Sequence, residues 1–156
     1  EVDLKELVDE TVGLLHKEAA NKDVEIIQEI DPAIHAIWTD PYKLRQVLIN
    51  IITNAVHATG SGGKITATLK PVDDRVKLTI QDTGQGIPKE HLKKIFEPFF
   101  STKPPGEGTG LGLFVTRSII EKLGGEMDVE SQLGQGTRFC IKLPRYPDAE
   151  VGLDKR

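Results

Sequence analysis

Residues 106–125 read GEGTGLGLFVTRSIIEKLGG, with Gly106, Gly108, Gly110 and Gly112 at every second position ahead of a helical pattern. Glycines give up conformational entropy, and in return they allow a second group to approach the backbone closely. Bare N–H groups at a helix N-terminus, backed by the helix dipole, form an anion site, and phosphate is the natural guest. The stretch is not a G-x-G-x-x-G finger, because Leu111 and Leu113 sit where the third glycine should be, and no G-x-x-x-x-G-K-[ST] loop is present.

Three other places carry polar groups on otherwise apolar faces. Asn50 and Asn54 lie about 40° apart in helical angle, one turn from each other on the margin of an apolar stripe. Such amides either bond to backbone at the core edge or offer an oxygen to Mg²⁺, an ion that takes most of its ligands from water and phosphates. Asp82, in QDTGQG, continues the inward row of Val76, Leu78 and Ile80. A carboxylate there caps the next turn or receives an amino group such as the adenine N6, with Gly84 and Gly86 keeping the walls low. Thr137 shares parity with Phe139, Ile141 and Leu143. It is either a plain strand residue or, if its strand end meets that of Asp82, a second contact to a purine, directly or through water.

These groups need elements to hold them. Apolar residues at helical spacing from Leu4 to Ala20, behind Asp3, predict a first helix. Val24 to Ile30 and His35 to Trp38, separated by Asp31-Pro32, predict two short strands. Asp40-Pro41 opens a second helix whose apolar positions run from Leu44 to Val56, and GSGG at 60–63 stops it. Alternation over 65–69 and 76–80 predicts two strands turning at Asp73-Asp74. A short helix after Pro88 carries Leu92 and Ile95, a further helix spans Leu111 to Leu123, and strands follow near Glu126 to Ser131 and Thr137 to Leu143. This order predicts an α+β two-layer sandwich: three main helices on one face of a mixed, mostly antiparallel sheet of about five strands.

At 156 residues the chain suits one domain, expected over 1–144 with a tail or linker over 145–156. Twenty basic and twenty-four acidic side chains, interspersed, give a net charge of −4 and no basic footprint for nucleic acid or an anionic membrane. No apolar run is long enough for a membrane span and the first residues lack a signal-peptide pattern. Cys140, the single cysteine, falls in an apolar-alternating run and is expected to be a buried thiol in a reducing compartment.

Taken together, QVLINIITNAVHAT, DTGQGIP, IFEPFFSTK, GEGTGLGL and GQGTRF, in this order, resemble the boxes of the ATP-binding catalytic domain of sensor histidine kinases. That family is a branch of the gyrase, chaperone and mismatch-repair ATPase superfamily, and FEPFFSTKPPGEGTGLGL is most similar to its nitrogen-sensor-like members. The resemblance covers about residues 1–144 and implies the family's Bergerat-type sandwich. It implies binding of ATP and Mg²⁺ by a cytoplasmic module that phosphorylates a histidine on a separate dimerisation and phosphoacceptor domain, with a response regulator downstream.

Residue by residue, the resemblance implies that Asn54 ligates Mg²⁺ and that Asn50 supports phosphate or metal-bound water. Asp82 would receive the adenine amino group, with Thr137 assisting through water and Gly84, Gly86 and Ile87 lining the base end. Phe96, Phe99 and Phe100 would anchor a lid of about 101–110, and Gly108, Thr109, Gly110, Leu111 and Gly112 would meet the phosphates. Two departures matter. His57 stands where many members carry Lys or Arg, so it is expected to be neutral at the pocket rim, and Lys103 becomes the candidate phosphate charge. Asn50 replaces the glutamate general base of the superfamily's ATPases, and an amide cannot accept that proton. Slow hydrolysis is therefore expected, with the γ-phosphoryl left for another acceptor. His16 is not in the family's H-E-x-x-[NT]-P phosphosite. The competing readings are an anti-sigma-type serine kinase or ATPase, and a silent nucleotide-binding module.

Overall fold

Two aspartates start the two longest helices of the computed structural model, which describes residues 1–34, 36–101 and 112–146. Asp3 Oδ1 accepts from Glu6 N at 3.1 Å ahead of α1 (Leu4–Asn21). Asp40 Oδ1 accepts from Tyr42 N and Lys43 N at 3.0 and 3.2 Å ahead of α2 (Pro41–Ala58). Pro41 suits the first turn of α2 because its missing N–H would have had no helical partner. The apolar stripe read from the sequence is the buried face of α2: Leu44, Val47, Leu48, Ile51, Ile52, Ala55 and Val56. Each of the larger side chains contributes about 1.5–3 kcal/mol by leaving water, which holds the helix in place far more firmly than its intrinsic propensity does.

The other elements are β1 (Glu25–Ile30), β2 (Lys64–Val72), β3 (Arg75–Asp82), α3 (Lys89–Leu92), α4 (Gly112–Lys122), β4 (Glu126–Gln132) and β5 (Gly136–Pro144). They form one five-stranded sheet in the order β1-β2-β3-β5-β4. β1 and β2 run parallel, with α2 as the crossover between them, and every other pair is antiparallel. The inward row is Ile65, Ala67 and Leu69 on β2, Val76, Leu78 and Ile80 on β3, and Phe139, Ile141 and Leu143 on β5. α2 packs on this face between α1 and α4. The expected α+β sandwich is therefore the observed one. No helix among the described residues is long and apolar enough to cross a membrane.

Three local expectations need correction. The strand expected over 35–38 is a single bridge: Val2 N donates to Ile37 O at 2.7 Å and Ile37 N to Val2 O at 3.0 Å, while Trp38 N turns to Arg145 O. Among the described residues that one bridge is all that forms, so no ladder extends along the segment. Cys140 is half-buried, not enclosed, because it has the parity of Arg138 and Lys142 and so lies on the outer face of β5. The helix after Pro88 is one turn only, and Ile95 reaches the core from the turns that follow it. Most of the expected tail, residues 147–156, lies outside the described residues, as does residue 35.

The Asp40 cap leads to one prediction. Asp40→Ala leaves two N–H groups of the first turn unpaired, so urea unfolding should lose about 1 kcal/mol of stability. An unchanged midpoint would mean that the buried face alone sets where α2 begins.

Candidate functional site

β3 and β5 bring their polar ends together. Gln81 pairs with Arg138 in the antiparallel register, which sets Asp82 opposite Thr137 one step further on. Asp82 is buried, 5% exposed, and its Oδ1 accepts from Gly84 N at 2.8 Å and from Thr137 N at 3.2 Å. These two donors use both lone pairs of that oxygen. No hydrogen bond from a described residue reaches Oδ2, which leaves an acceptor for a ligand. Burial pushes the Asp82 carboxyl above its usual value of 3.8, and the Gly84 and Thr137 N–H groups pull against that shift by stabilising the charge.

Two glycines make this closeness possible. Gly136 has φ of 118°, and a methyl there would lie 2.0 Å from the Asp82 carbonyl oxygen. Gly86 has φ of 76°, and a methyl there would lie 2.1 Å from the Gln132 carbonyl oxygen. A side chain at Gly136 would push β5 away from Asp82, and one at Gly86 would push the 85–87 turn away from the end of β4. The expected low wall at Gly86 is thus also a crossing point between chain segments. The turn between them is tied down as well: Gln85 N donates to Ala58 O at the end of α2, and Gly134 N donates to Gln85 O.

Sequence reasoning missed Ser131. It sits directly opposite Thr137 in the β4–β5 register. Its Oγ accepts from Ile87 N at 2.7 Å, donates to Gly136 O at 2.9 Å, and lies 2.9 Å from Thr137 Oγ1. The signal was available, because Ser131 shares parity with the inward Met127 and Val129 of β4.

The two amides lie on the margin of α2, as expected, and both are half-buried. Asn50 Nδ2 donates to Thr116 Oγ1 of α4 at 3.3 Å, and Thr116 is fully buried. Among the described residues none bonds the Asn54 side chain. His57, the next candidate along the helix, has Nε2 3.1 Å from Glu18 Oε1 of α1. Lys22 Nζ bonds the Val56 and His57 carbonyls at 2.8 and 2.9 Å, which satisfies the otherwise open end of α2.

At the other end of the site, Gly112 opens α4, and a methyl there would meet none of the described residues within 4 Å. Lys103, Gly108, Thr109, Gly110 and Leu111 lie outside the described residues. Of the three phenylalanines expected to anchor the lid, Phe96 and Phe100 pack against the core. Phe96 meets Phe139 edge-on at 6.5 Å between ring centres and carries the Arg117 guanidinium over its face at 4.7 Å. Phe99 is 76% exposed on a left-handed backbone, φ 67°, and residues 102–110 of the lid it is expected to anchor lie outside the described residues.

The residues present fit an adenine nucleotide with Mg²⁺. The base end offers an acceptor in Asp82 Oδ2, and the margin of α2 offers one amide oxygen at Asn54. That suffices for an ion that draws its other oxygens from phosphates and water. Among the described residues no group of three or more His, Cys, Asp or Glu gathers as a protein cage.

Comparison with known proteins shows the family and the fold. Residues 39–147 match the family described as histidine kinase-, DNA gyrase B-, and HSP90-like ATPase. Sensor histidine kinase ZraS of Klebsiella oxytoca is 42% identical over 144 residues, which cover 92% of this chain and 31% of that protein. The chain thus spans about a third of the length of that relative. The nucleotide-free catalytic domain of histidine kinase ThkA superposes with a TM-score of 0.84 at 35% identity, covering 94% of this chain and 95% of that one. ThkA in complex with response regulator protein TrrA gives 0.81 at 32% identity, covering 95% of this chain and 42% of that one. Full-length ShkA in complex with AMPPNP gives 0.85 at 32% identity, covering 96% and 32%.

The burial of Asp82 sets a test on stability. A carboxyl whose folded value is raised favours folding while it is protonated, below its ordinary value near 3.8, and that contribution is lost as pH rises through the raised value. Asp82→Asn keeps an oxygen for the two N–H donors and removes the charge. The variant should therefore melt above the wild type at pH 7, with the difference vanishing below about pH 3.8, where both side chains are neutral. A lower melting temperature at pH 7 would show that the backbone donors outweigh burial.

Proposed function

The chain belongs to the histidine kinase-, DNA gyrase B-, and HSP90-like ATPase family, and from that premise we propose that it is the ATP-binding catalytic part of a sensor histidine kinase. It binds Mg-ATP and passes the γ-phosphoryl group to a histidine on a separate dimerisation and phosphoacceptor domain, upstream of a response regulator. The whole protein would be two-component signalling machinery, with this domain on the cytoplasmic side. The observation that carries the reading is the buried Asp82 carboxylate, with one oxygen fixed by two backbone donors and the other left as an acceptor.

Each residue has a limited task. Asp82 Oδ2 accepts an N–H of the adenine amino group, and Thr137 lies beside it on the same face. Asn54 supplies an amide oxygen to Mg²⁺, which when bound neutralises charge on the phosphates. Asn50, steadied by Thr116, offers its remaining amide valences to phosphate or to metal-bound water. With His57 beside Glu18, the positive charge for the phosphates falls to Lys103. Glycine-bared N–H groups ahead of α4 complete that end. No residue in this set removes a proton from water, since Asn50 is an amide. The site therefore holds ATP in a form that water attacks slowly. Phosphoryl transfer needs alignment and charge neutralisation more than covalent help, so the nucleophile can come from another domain.

Mixing the protein with a helical phosphoacceptor fragment, ATP and Mg²⁺ should give acid-labile phosphate on that fragment. Tight nucleotide binding with no transfer would instead favour a silent module. Asn54→Asp should slow the transfer by about tenfold or more, by altering the metal ligand and adding charge beside the phosphates. Asp82→Asn turns an N–H toward the amino group and removes the charge. ATP affinity should fall by roughly a hundredfold, equivalent to about 2.7 kcal/mol, in calorimetry. Affinity like the wild type's would place the base elsewhere.

A further inference from the structure

Asp82, Thr137 and Ser131 form one row across three strands, β3, β5 and β4, at the end of the apolar core. Ser131 Oγ has one proton and two lone pairs. The Gly136 carbonyl, 2.9 Å away, can only accept, so it takes the proton. The Ile87 N–H, 2.7 Å away, can only donate, so it takes one lone pair. Thr137 Oγ1, 2.9 Å away, could act either way, but Ser131 has only a lone pair left to offer it. The Thr137 hydroxyl must therefore donate to Ser131.

That donation has a consequence for the ligand. With its proton committed, Thr137 Oγ1 presents lone pairs alone to the space beside Asp82. Asp82 Oδ2, in the ionised form, also presents lone pairs alone. An exocyclic amine carries two N–H donors and can satisfy two acceptors. A carbonyl in the same place meets lone pair against lone pair. We infer that Ser131 is a positioning residue that fixes Thr137 as an acceptor and so sets the preference for a 6-amino over a 6-oxo purine. The inference rests on the nucleotide-binding reading above and adds to it a cause of base selectivity that lies one residue behind the pocket.

The pair of nucleotides that reads this out is ATP and inosine triphosphate, which differ at purine position 6 by an amino against an oxo group. Dissociation constants for both are measured on the full 156-residue chain. The wild type should prefer ATP. In Ser131→Ala the Thr137 hydroxyl is free to turn its proton toward an oxo group, and the preference should shrink by about tenfold, the worth of one hydrogen bond. Ser131→Thr, which keeps a hydroxyl, should restore the preference. In a Thr137→Val background, Ser131→Ala should leave the ratio unchanged.

A purely structural Ser131, acting only by tying Ile87 to β4, would weaken both nucleotides by the same factor and do so in either background. That result overturns the inference while leaving ATP binding in place. Absence of ATP binding by the wild type would overturn the nucleotide reading itself, and this inference with it.

Discussion

A carboxylate buried at a strand end is the constraint on which the site depends. Asp82 leaves water for a place where, among the described residues, two backbone N–H groups meet it, one from its own turn and one from the start of β5. Supplying the second donor requires β5 to cross within reach of Asp82, and that crossing requires Gly136 to have no side chain. The same approach brings Thr137 beside Asp82, Ser131 behind Thr137, and the 85–87 turn under Ser131. The net effect is that one unfavourable charge is held in place by a network of backbone contacts.

In the proposed function the cost of burial has a use. A carboxylate fully served by protein donors would have nothing left for a ligand, and one left in water would gain little by binding. Asp82 is between these limits: Oδ1 is saturated, Oδ2 is not, and desolvation raises the energy of the charged form. An amino group arriving from a ligand therefore replaces a missing partner and does not compete with a satisfied one. At the other end of the site the design differs. Asn50 and Asn54 are uncharged, and they sit on a helix fixed by its apolar stripe, its Asp40 cap and the Lys22 ammonium over its last carbonyls. In the proposed function this rigidity would hold the amides in place and leave charge balance to the ion and the nucleotide.

Features set by local periodicity were legible in the amino-acid sequence. The stripe of α2, the inward parity of Asp82 and Thr137, and the caps at Asp3 and Asp40 all depend on spacing and turn chemistry, which act over a few residues. Misreadings arose where a partner distant in sequence decides the outcome. Ile37 had strand-like neighbours but, among the described residues, forms one bridge, to Val2. Cys140 belonged to an alternating run, but its parity put it outside. Ser131 escaped notice because a lone serine in a strand carries no signature until the strand opposite is known. The junction of Asp82 with Thr137 was conditional for the same reason, since alternation gives the face of each strand but not which strand ends meet.

The central claim is that the unsatisfied oxygen of Asp82 receives the amino group of a purine. A crystal structure of the chain with a non-hydrolysable ATP analogue and Mg²⁺ tests it most directly. The account predicts the exocyclic amino nitrogen about 3 Å from Asp82 Oδ2, with the triphosphate running toward Asn54 and the start of α4. A base bound away from Asp82, or one that turns another edge toward it with the amino group in solvent, would contradict the account.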